Sequence, residues 1–374
     1  VFFVKKLGKF ISRILLGINI VLLLLVIFGH FSIPEYPAGY YWPLGLLGLV
    51  YPILVFFVFI YILFWIIFHY KYAIWGIITL TICWSSVAVC FSLFSGSKDD
   101  ISSAESIQVI SYNVHYFREL GNSQEENQAL RSESIAFLKK KNPDIVCMQE
   151  FYSASSPHLN SLAYISEQLS LPYHYFSGGE NDKSGHSGVV LFSRYPIIAA
   201  QRIELPESGN KKERIVYADI VKEEDTLRVF SVHLQSIYLS SKDLQNIEEV
   251  KSYKKDSVHL GEVKGILGKL KRAFKKRSKE VDILAEKIKE SPYPVLVCGD
   301  FNDPPNSYSY AVVSHGLKDA FLEKGFGLGR TFRKLSPTLR IDYIFTSPSI
   351  DILTFSIMHV NYSDHYPISS KIVL

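Results

Sequence analysis

Long apolar runs fill the first quarter of this chain, and short ones punctuate the rest. Residues 14–33, 44–68 and 72–94 are nearly free of charge. Each is long enough to cross a bilayer as a helix, which takes about 20 residues. The pattern then breaks. Residues 95–106 (SGSKDDISSAES) are polar and short and read as a linker. Beyond them, apolar runs of strand length predict strands over 108–113, 144–150, 187–192, 215–221, 226–234, 295–299 and 340–346. Helical spacing predicts helices over 127–141, 161–169 and 280–290. Strands outnumber helices, and helices separate only some of them. That order suits an α/β sandwich of two sheets better than a regular βαβ repeat. The expected organisation is a membrane anchor of three transmembrane helices over 1–94, a linker over 95–106 and a globular domain over 107–374.

Six of the apolar runs end in, or carry, a polar residue able to bind metal or phosphate. VISYN ends at Asn113, IVCMQE at Glu150 and VFSVH at His233. VLVCGDFN ends at Asp300 and Asn302, RIDYIF carries Asp342, and NYSDHYP carries Asp364 and His365. One such run would mean little. Six of them imply strands of one sheet system delivering oxygen ligands and imidazoles to a common cleft.

Charge sharpens the division. The only formal charges in residues 1–94 are Lys5, Lys6, Lys9, Arg13, Lys71 and Glu35, so the net charge of +4 belongs to the apolar part. The remainder is balanced, which argues against a strong general nucleic-acid binder. Lys5, Lys6, Lys9 and Arg13 precede the first run, the 34–43 loop carries only Glu35, and Lys71 marks the next turn. By the positive-inside rule the N-terminus is cytoplasmic. Three crossings of the cell (inner) membrane then put the globular domain on the extracytoplasmic side. No ionisable residue lies deep in a run, so an anchor is expected rather than a transport pathway.

Residues 264–279 hold eight basic side chains and no acid, with Val263, Ile266, Leu267, Leu270 and Phe274 at helical spacing. This is either a solvated helix packed on its own domain or a basic amphipathic helix facing an anionic surface. The four cysteines lack metal-type spacing. They read as small buried hydrophobes, and a Cys147–Cys298 disulfide is open to them in an oxidising compartment.

Glu150, Asp300, Asp364 and the amide oxygens of Asn113 and Asn302 are hard ligands, suited to Mg²⁺ or Mn²⁺ rather than zinc. His233 and His365 can donate to phosphate oxygens or move protons. Asp342 can hold His365 in one tautomer. Together these are the parts for phosphoester hydrolysis.

The segments SYNVH (111–115), CMQE (147–150), SGVVLFSRYPI (187–197), SVHL (231–234), CGDFND (298–303), RIDYIF (340–345) and SDHYP (363–367) resemble, in order, those of the endonuclease/exonuclease/phosphatase superfamily. GDFN together with SDH is the specific part. The resemblance implies a four-layered, DNase I-like α/β sandwich with its cleft at the strand ends. It implies Glu150 as principal metal ligand, with Asn113 and Asp364 at the metal site. It implies Asp300 as the residue that orients or activates water, and Asn302 and His233 as phosphate contacts. His365, paired with Asp342, becomes the essential imidazole. One position departs from the pattern: some nucleases of the family carry an acid where this chain has His115, two residues after Asn113. A second acidic ligand is not expected there. Arg194 and the glycine-rich GFGLGRTF (325–332), with Arg330, are read first as turns and only secondarily as phosphate contacts.

The expected activity is that of a membrane-anchored, metal-dependent phosphoester hydrolase, with lipid or nucleic acid among its candidate substrates. An extracytoplasmic nuclease of the same fold, a non-catalytic binding or signalling protein and a small-solute transporter are the alternatives. Retention of the full polar set disfavours the second, and the apolar spans disfavour the third.

Overall fold

A computed structural model describes residues 2–93, 105–118, 123–154, 160–178, 185–205, 214–238, 240, 243, 249 and 260–374. Most of the expected linker, and much of the stretch between 239 and 259, lie outside these described residues.

Among the described residues, twelve strands form two six-stranded sheets. The first has the order β11 (Asp351–Ile357), β12 (Ile368–Val373), β1 (Ile107–Asn113), β2 (Ile145–Ser153), β4 (His186–Ser193), β3 (Tyr173–Phe176). The second runs β5 (Ile197–Ile203), β6 (Arg214–Lys222), β7 (Asp225–His233), β8 (Val295–Asp300), β10 (Asp342–Thr346), β9 (Lys318–Asp319). Each sheet has one parallel pair near its centre, β1 with β2 and β7 with β8, and the other pairs are antiparallel. These central strands read as continuous apolar runs because both of their faces are covered.

Four layers result. Val109, Ile145, Cys147 and Leu191 of the first sheet meet Ala218, Val229, Leu296, Cys298 and Ile344 of the second in one core. The other face of the first sheet packs on α4 (Gln124–Lys139) and α5 (Ser161–Leu169) through Ile135, Leu138, Leu162 and Ile165. The other face of the second sheet packs on α6 (Leu260–Lys289) and α7 (Tyr308–Ser314) through Val281, Leu284, Tyr310 and Val313. Helix α4 starts at a capping box between Ser123 and Glu126, which satisfies two otherwise unpaired N–H groups. Cys147 and Cys298 are neighbouring free thiols in the central core.

The expected three separate spans are replaced by two long apolar helices, α1 (Phe2–Ser32) and α2 (Trp42–Ile82). Helix α2 contains both of the later runs, interrupted at His69, whose φ of −157° and ψ of 80° are not helical. The chain reverses there. A Cβ on Gly76 would lie 2.6 Å from Ile62 and 2.8 Å from Tyr61, and the Tyr61 hydroxyl donates to Tyr72 O at 2.7 Å. In an unbroken helix residues 61 and 76 would be about 22 Å apart. Helix after the reversal ends at Ile82, short of the length a bilayer needs. The short α3 (Trp84–Ala88) follows, and then Ser92 pairs with Gly327 of the sandwich.

The apolar helices are docked on the sandwich. Gly48 lies so close to Asn306 that a Cβ there would sit 2.1 Å from the Asn306 carbonyl oxygen. Asn306 Nδ2 donates to Ser86 O at 2.9 Å, the buried Arg340 donates to Val89 O at 3.2 Å, and Gly39 N donates to the Ser278 hydroxyl at 3.0 Å. All of these contacts come from the 33–48 and 86–92 ends of the helical unit. The His69 reversal lies at its other end.

Candidate active site

Strand register assembles the centre of the cleft. In the second sheet Asp300 stands at the end of β8, directly beside His233 on β7 and Asp342 on β10. The strand can pass this close to β7 because residue 299 is glycine: a Cβ there would lie 2.0 Å from Val232 O. Asn302 follows with φ of +53°, its N–H donating to Asp300 Oδ1 at 2.8 Å and its Nδ2 to Leu234 O at 3.0 Å. Its side-chain oxygen is thereby left for the cleft. The His365 ring reaches in from the loop before β12, with Nδ1 2.9 Å from Asp342 Oδ2 and Nε2 3.7 Å from Asp300 Oδ2.

The first sheet supplies the opposite bank by irregular backbone. Asn113, at the end of β1, donates from Nδ2 to Asp300 Oδ2 at 3.0 Å and links the two sheets. Glu150 lies in a bulge of β2 between Met148 and Phe151, with φ of +49°. Such a bulge re-aims a side chain at the cost of regular pairing. His115 (φ +46°) lies in a left-handed turn after β1. Its Nδ1 is 3.4 Å from Glu150 Oε2 and 3.5 Å from Asp364 Oδ1. Lys334 Nζ lies 3.1 Å from the other Asp364 oxygen.

Electrostatics separate these carboxylates. Burial pushes Asp300 up to about 6, with Asp342 adding to the rise while His365, His233 and the Asn113 amide oppose it. Burial also pushes Glu150 up, but the His115 contact and the charges of His233 and His365 outweigh it and hold it below its ordinary value. Asp364 likewise ends low, burial being outweighed by His365, His115 and Lys334. His365 itself would be lowered by burial, yet Asp342 and then Asp300 raise it to about 10. His115 is raised, chiefly by Glu150.

All eight residues expected from the sequence thus fall in one linked cluster. Asn113, His233 and Asp342 are buried behind it. Glu150, Asp300, Asn302, Asp364 and His365 line a cavity of about 520 Å³. Two groups could hold a cation. Asp300, Asp342 and His365 offer ligand atoms within 4.8 Å of one another, but the His365–Asp342 hydrogen bond already joins two of them. Glu150 and Asp364, both held below their ordinary values, converge on the His115 imidazole, in a place a metal ion would fill. The buried His233 has no hydrogen bond to either ring nitrogen, with Nε2 3.7 Å from Glu150 and 3.8 Å from Asp300. A buried donor without a partner fits a site built for a further group. We favour the Glu150–Asp364 side for a hard cation.

His115 is a cleft residue to which the sequence reading gave no role, although its departure from the family pattern marked the position. Arg277 went unread as well. It is one of the eight basic residues of 264–279, yet it is fully buried, lies 3.1 Å from Asp303 Oδ1 and donates to Asn302 O. Two secondary readings are corrected. Arg194 pairs with Asp144 at 2.7 Å and donates to Asn142, holding the β4–β5 turn to the start of β2. Arg330 donates to Phe332 O and Arg333 O, folding its own loop, and Gly327 in the same loop pairs with Ser92. That glycine-rich loop serves docking rather than phosphate.

A model described as a domain of unknown function (DUF8431) matches residues 12–90. The uncharacterized protein YbhP of Escherichia coli strain K12 is 26% identical over 258 residues, 63% of this chain and 86% of its own length. YbhP of Shigella flexneri gives the same figures. An endonuclease/exonuclease/phosphatase from Beutenbergia cavernae matches with a TM-score of 0.48 and 17% identity, covering 72% of each chain. A family protein from Bacteroides thetaiotaomicron matches with a TM-score of 0.48 and 18% identity over 72% of this chain and 98% of its own. The model of the Endonuclease/Exonuclease/phosphatase family matches residues 110–365, which includes every residue of the cluster. The chain belongs to the endonuclease/exonuclease/phosphatase family.

Proposed function

We propose that this chain is a membrane-anchored, divalent-metal-dependent phosphoester hydrolase in which water attacks phosphorus. The observation that carries the reading is Asp300, buried between His233 and Asp342 in register and within 3.7 Å of a His365 ring fixed by Asp342. A carboxylate raised to about 6 is well placed to accept a proton near neutral pH. Asp300 orients the water and takes its proton. His365, held protonated by Asp342, offers an N–H to a phosphoryl oxygen or to the leaving oxygen. His233, and the Nδ2–H of Asn302 not given to Leu234 O, donate to the remaining phosphate oxygens and fix the phosphorus in line. Mg²⁺ or Mn²⁺ held by Glu150, Asp364 and Asn113 would polarise the phosphoryl oxygen and offset the charge that builds on it.

The placement at a membrane rests on the two apolar helices and on their docking. The basic residues Lys5, Lys6, Lys9 and Arg13 lie in the first turns of α1, and the sandwich packs at the other end of the helical unit, by the 33–48 and 86–92 contacts. With the positive-inside rule, this supports an extracytoplasmic cleft at the cell (inner) membrane. A reporter fused after Leu374 that is active only in the cytoplasm would refute that orientation. The chemistry is tested with bis-p-nitrophenyl phosphate and the full chain in detergent. Turnover with Mg²⁺ that is lost in chelator and restored by added metal is expected. No turnover under any divalent metal would leave only a binding role.

A further inference from the structure

The cavity that holds the polar cluster has a second kind of wall. Besides His115, Glu150, Asp364 and His365 it is lined by Leu49 of α2, Ile266 and Leu270 of α6, and Ile237, Leu335 and Leu339. An enzyme for small soluble esters gains nothing from such a surface, since water must cover it whenever the site is empty. Leu49 also indicates where an occupant comes from. Ile53, Phe56, Phe57, Ile60 and Phe64 follow it at helical spacing, and all are exposed. The cavity wall is therefore the first position of the stripe that α2 turns outward. Leu49 is fixed at the cavity by the neighbouring Gly48, whose close approach to Asn306 locks α2 against the sandwich. On α6, Ile266 and Leu270 are flanked by the exposed Lys264, Lys271 and Arg272, an arrangement that suits an anionic surface.

We propose that the apolar wall receives the hydrocarbon chain of the substrate, so that the phosphoester cleaved is that of a membrane lipid, entering along the Leu49 stripe of α2. This deepens the hydrolase reading above and rests on it. The phosphate then lies at His233, Asp300 and His365 while the chain lies against Leu49, Ile266 and Leu270. Each methylene buried there should tighten binding about fourfold.

The test uses two chromogenic diesters that differ only in chain length, ethyl p-nitrophenyl phosphate and dodecyl p-nitrophenyl phosphate, with the full chain in mixed micelles and Mg²⁺. In both, the water oxygen bonds to phosphorus, the bond from phosphorus to the p-nitrophenyl oxygen breaks, and p-nitrophenolate leaves with the electron pair. The readout is the ratio of kcat/KM for the dodecyl ester to that for the ethyl ester. The wild type should favour the dodecyl ester by well over tenfold. Leu49→Ser and Leu270→Ser should each lower the ratio roughly tenfold, and Leu49→Met should keep it. Ile198→Ser, outside the cavity, should also keep it. A variant that merely misfolds loses both esters together and leaves the ratio in place, so the Met variant and the second Ser variant keep the test decisive. Equal turnover of the two esters, or a ratio that neither Ser variant moves, overturns the inference while the hydrolase reading stands. Failure to cleave either ester overturns both.

Discussion

The two sheets build their halves of the cleft by different means. In the second sheet His233, Asp300 and Asp342 are set side by side by regular strand register, and close approach at Gly299 keeps them there. In the first sheet Glu150 reaches the cleft from a bulge, and His115 from a left-handed turn. Non-glycine residues at positive φ persist only where the surroundings over-determine them. The regular half holds the groups to which the proposed mechanism assigns proton transfer, and their mutual geometry is fixed by register. The irregular half holds two carboxylates that converge on one group, here the His115 imidazole.

That contrast makes separable predictions. The largest effects belong to the regular half and to the His365 ring that its Asp342 holds. Asp300→Asn and His365→Ala should each lower kcat on bis-p-nitrophenyl phosphate by about 10³–10⁴-fold, with no recovery at high Mg²⁺. Near-wild-type turnover in Asp300→Asn would remove the second sheet from the chemistry, and in His365→Ala it would remove the ring that Asp342 holds. Glu150→Gln should lose about 100-fold at a fixed low Mg²⁺ concentration, more than is typical for groups behind the ligands, and should regain activity as Mg²⁺ is raised. A Glu150→Gln defect that ignores metal concentration would move the cation to the Asp300–Asp342–His365 group.

Asp342→Asn should cost about 10–100-fold in kcat, because it releases the His365 ring without removing it. It also carries a pH signature. His365 is raised from 6.5 to about 10 in the folded protein. Its contribution to stability is therefore fully present below about pH 6.5 and is lost as pH rises through about 10. In chelator, the gap in urea midpoint between wild type and Asp342→Asn should narrow over that range. A constant gap would mean that His365 is not held as the cation. The smallest effect is outside the cleft. Gly48→Ala should cost about 1–3 kcal/mol of thermal stability by forcing α2 off Asn306, with little change in turnover of the soluble ester.

Much of this arrangement was legible in the sequence, for physical reasons. Strands buried on both faces leave continuous apolar runs, and β1, β2, β7, β8 and β10 were found that way. Their polar ends named six of the eight cluster residues, and the NYSDHYP segment before β12 named Asp364 and His365. β4 and β6, each next to an edge strand, were read as well, but β3, β5, β9, β11 and β12 were not found. In β5 exposed and part-buried positions mix without clean alternation, and β12 carries buried Ser369 and Ser370 where a strand pattern wants apolar residues. The polar break is satisfied by Ser370 Oγ donating to Thr354 O, a partner 16 residues away. Helix α6 was read in two pieces because its charge changes sign at Glu280, yet nothing there stops a helix. Arg277 and Leu49 were beyond reach. Their neighbours in the chain are basic or apolar in the same way, and only tertiary contact separates a buried lysine-like cation or a cavity wall from a solvated or lipid-facing one. The third apolar run illustrates the same limit: its composition suits a span, but the reversal at His69 and the pairing of Ser92 with Gly327 decide how much of it is helix.

The docking of the helical unit has one more consequence. Arg340 to Val89, Asn306 to Ser86, and Ser92 to Gly327 join the sandwich to the apolar helices without any help from the segment between them. The catalytic part is then mounted, not tethered. Its cleft has one height and one tilt relative to the helices, and with the lipid substrate proposed above it would meet its substrate by diffusion in a plane. Its rate should follow the mole fraction of substrate in that plane rather than the amount in the bulk, and a protease cut in the connecting segment should leave the two pieces working as one.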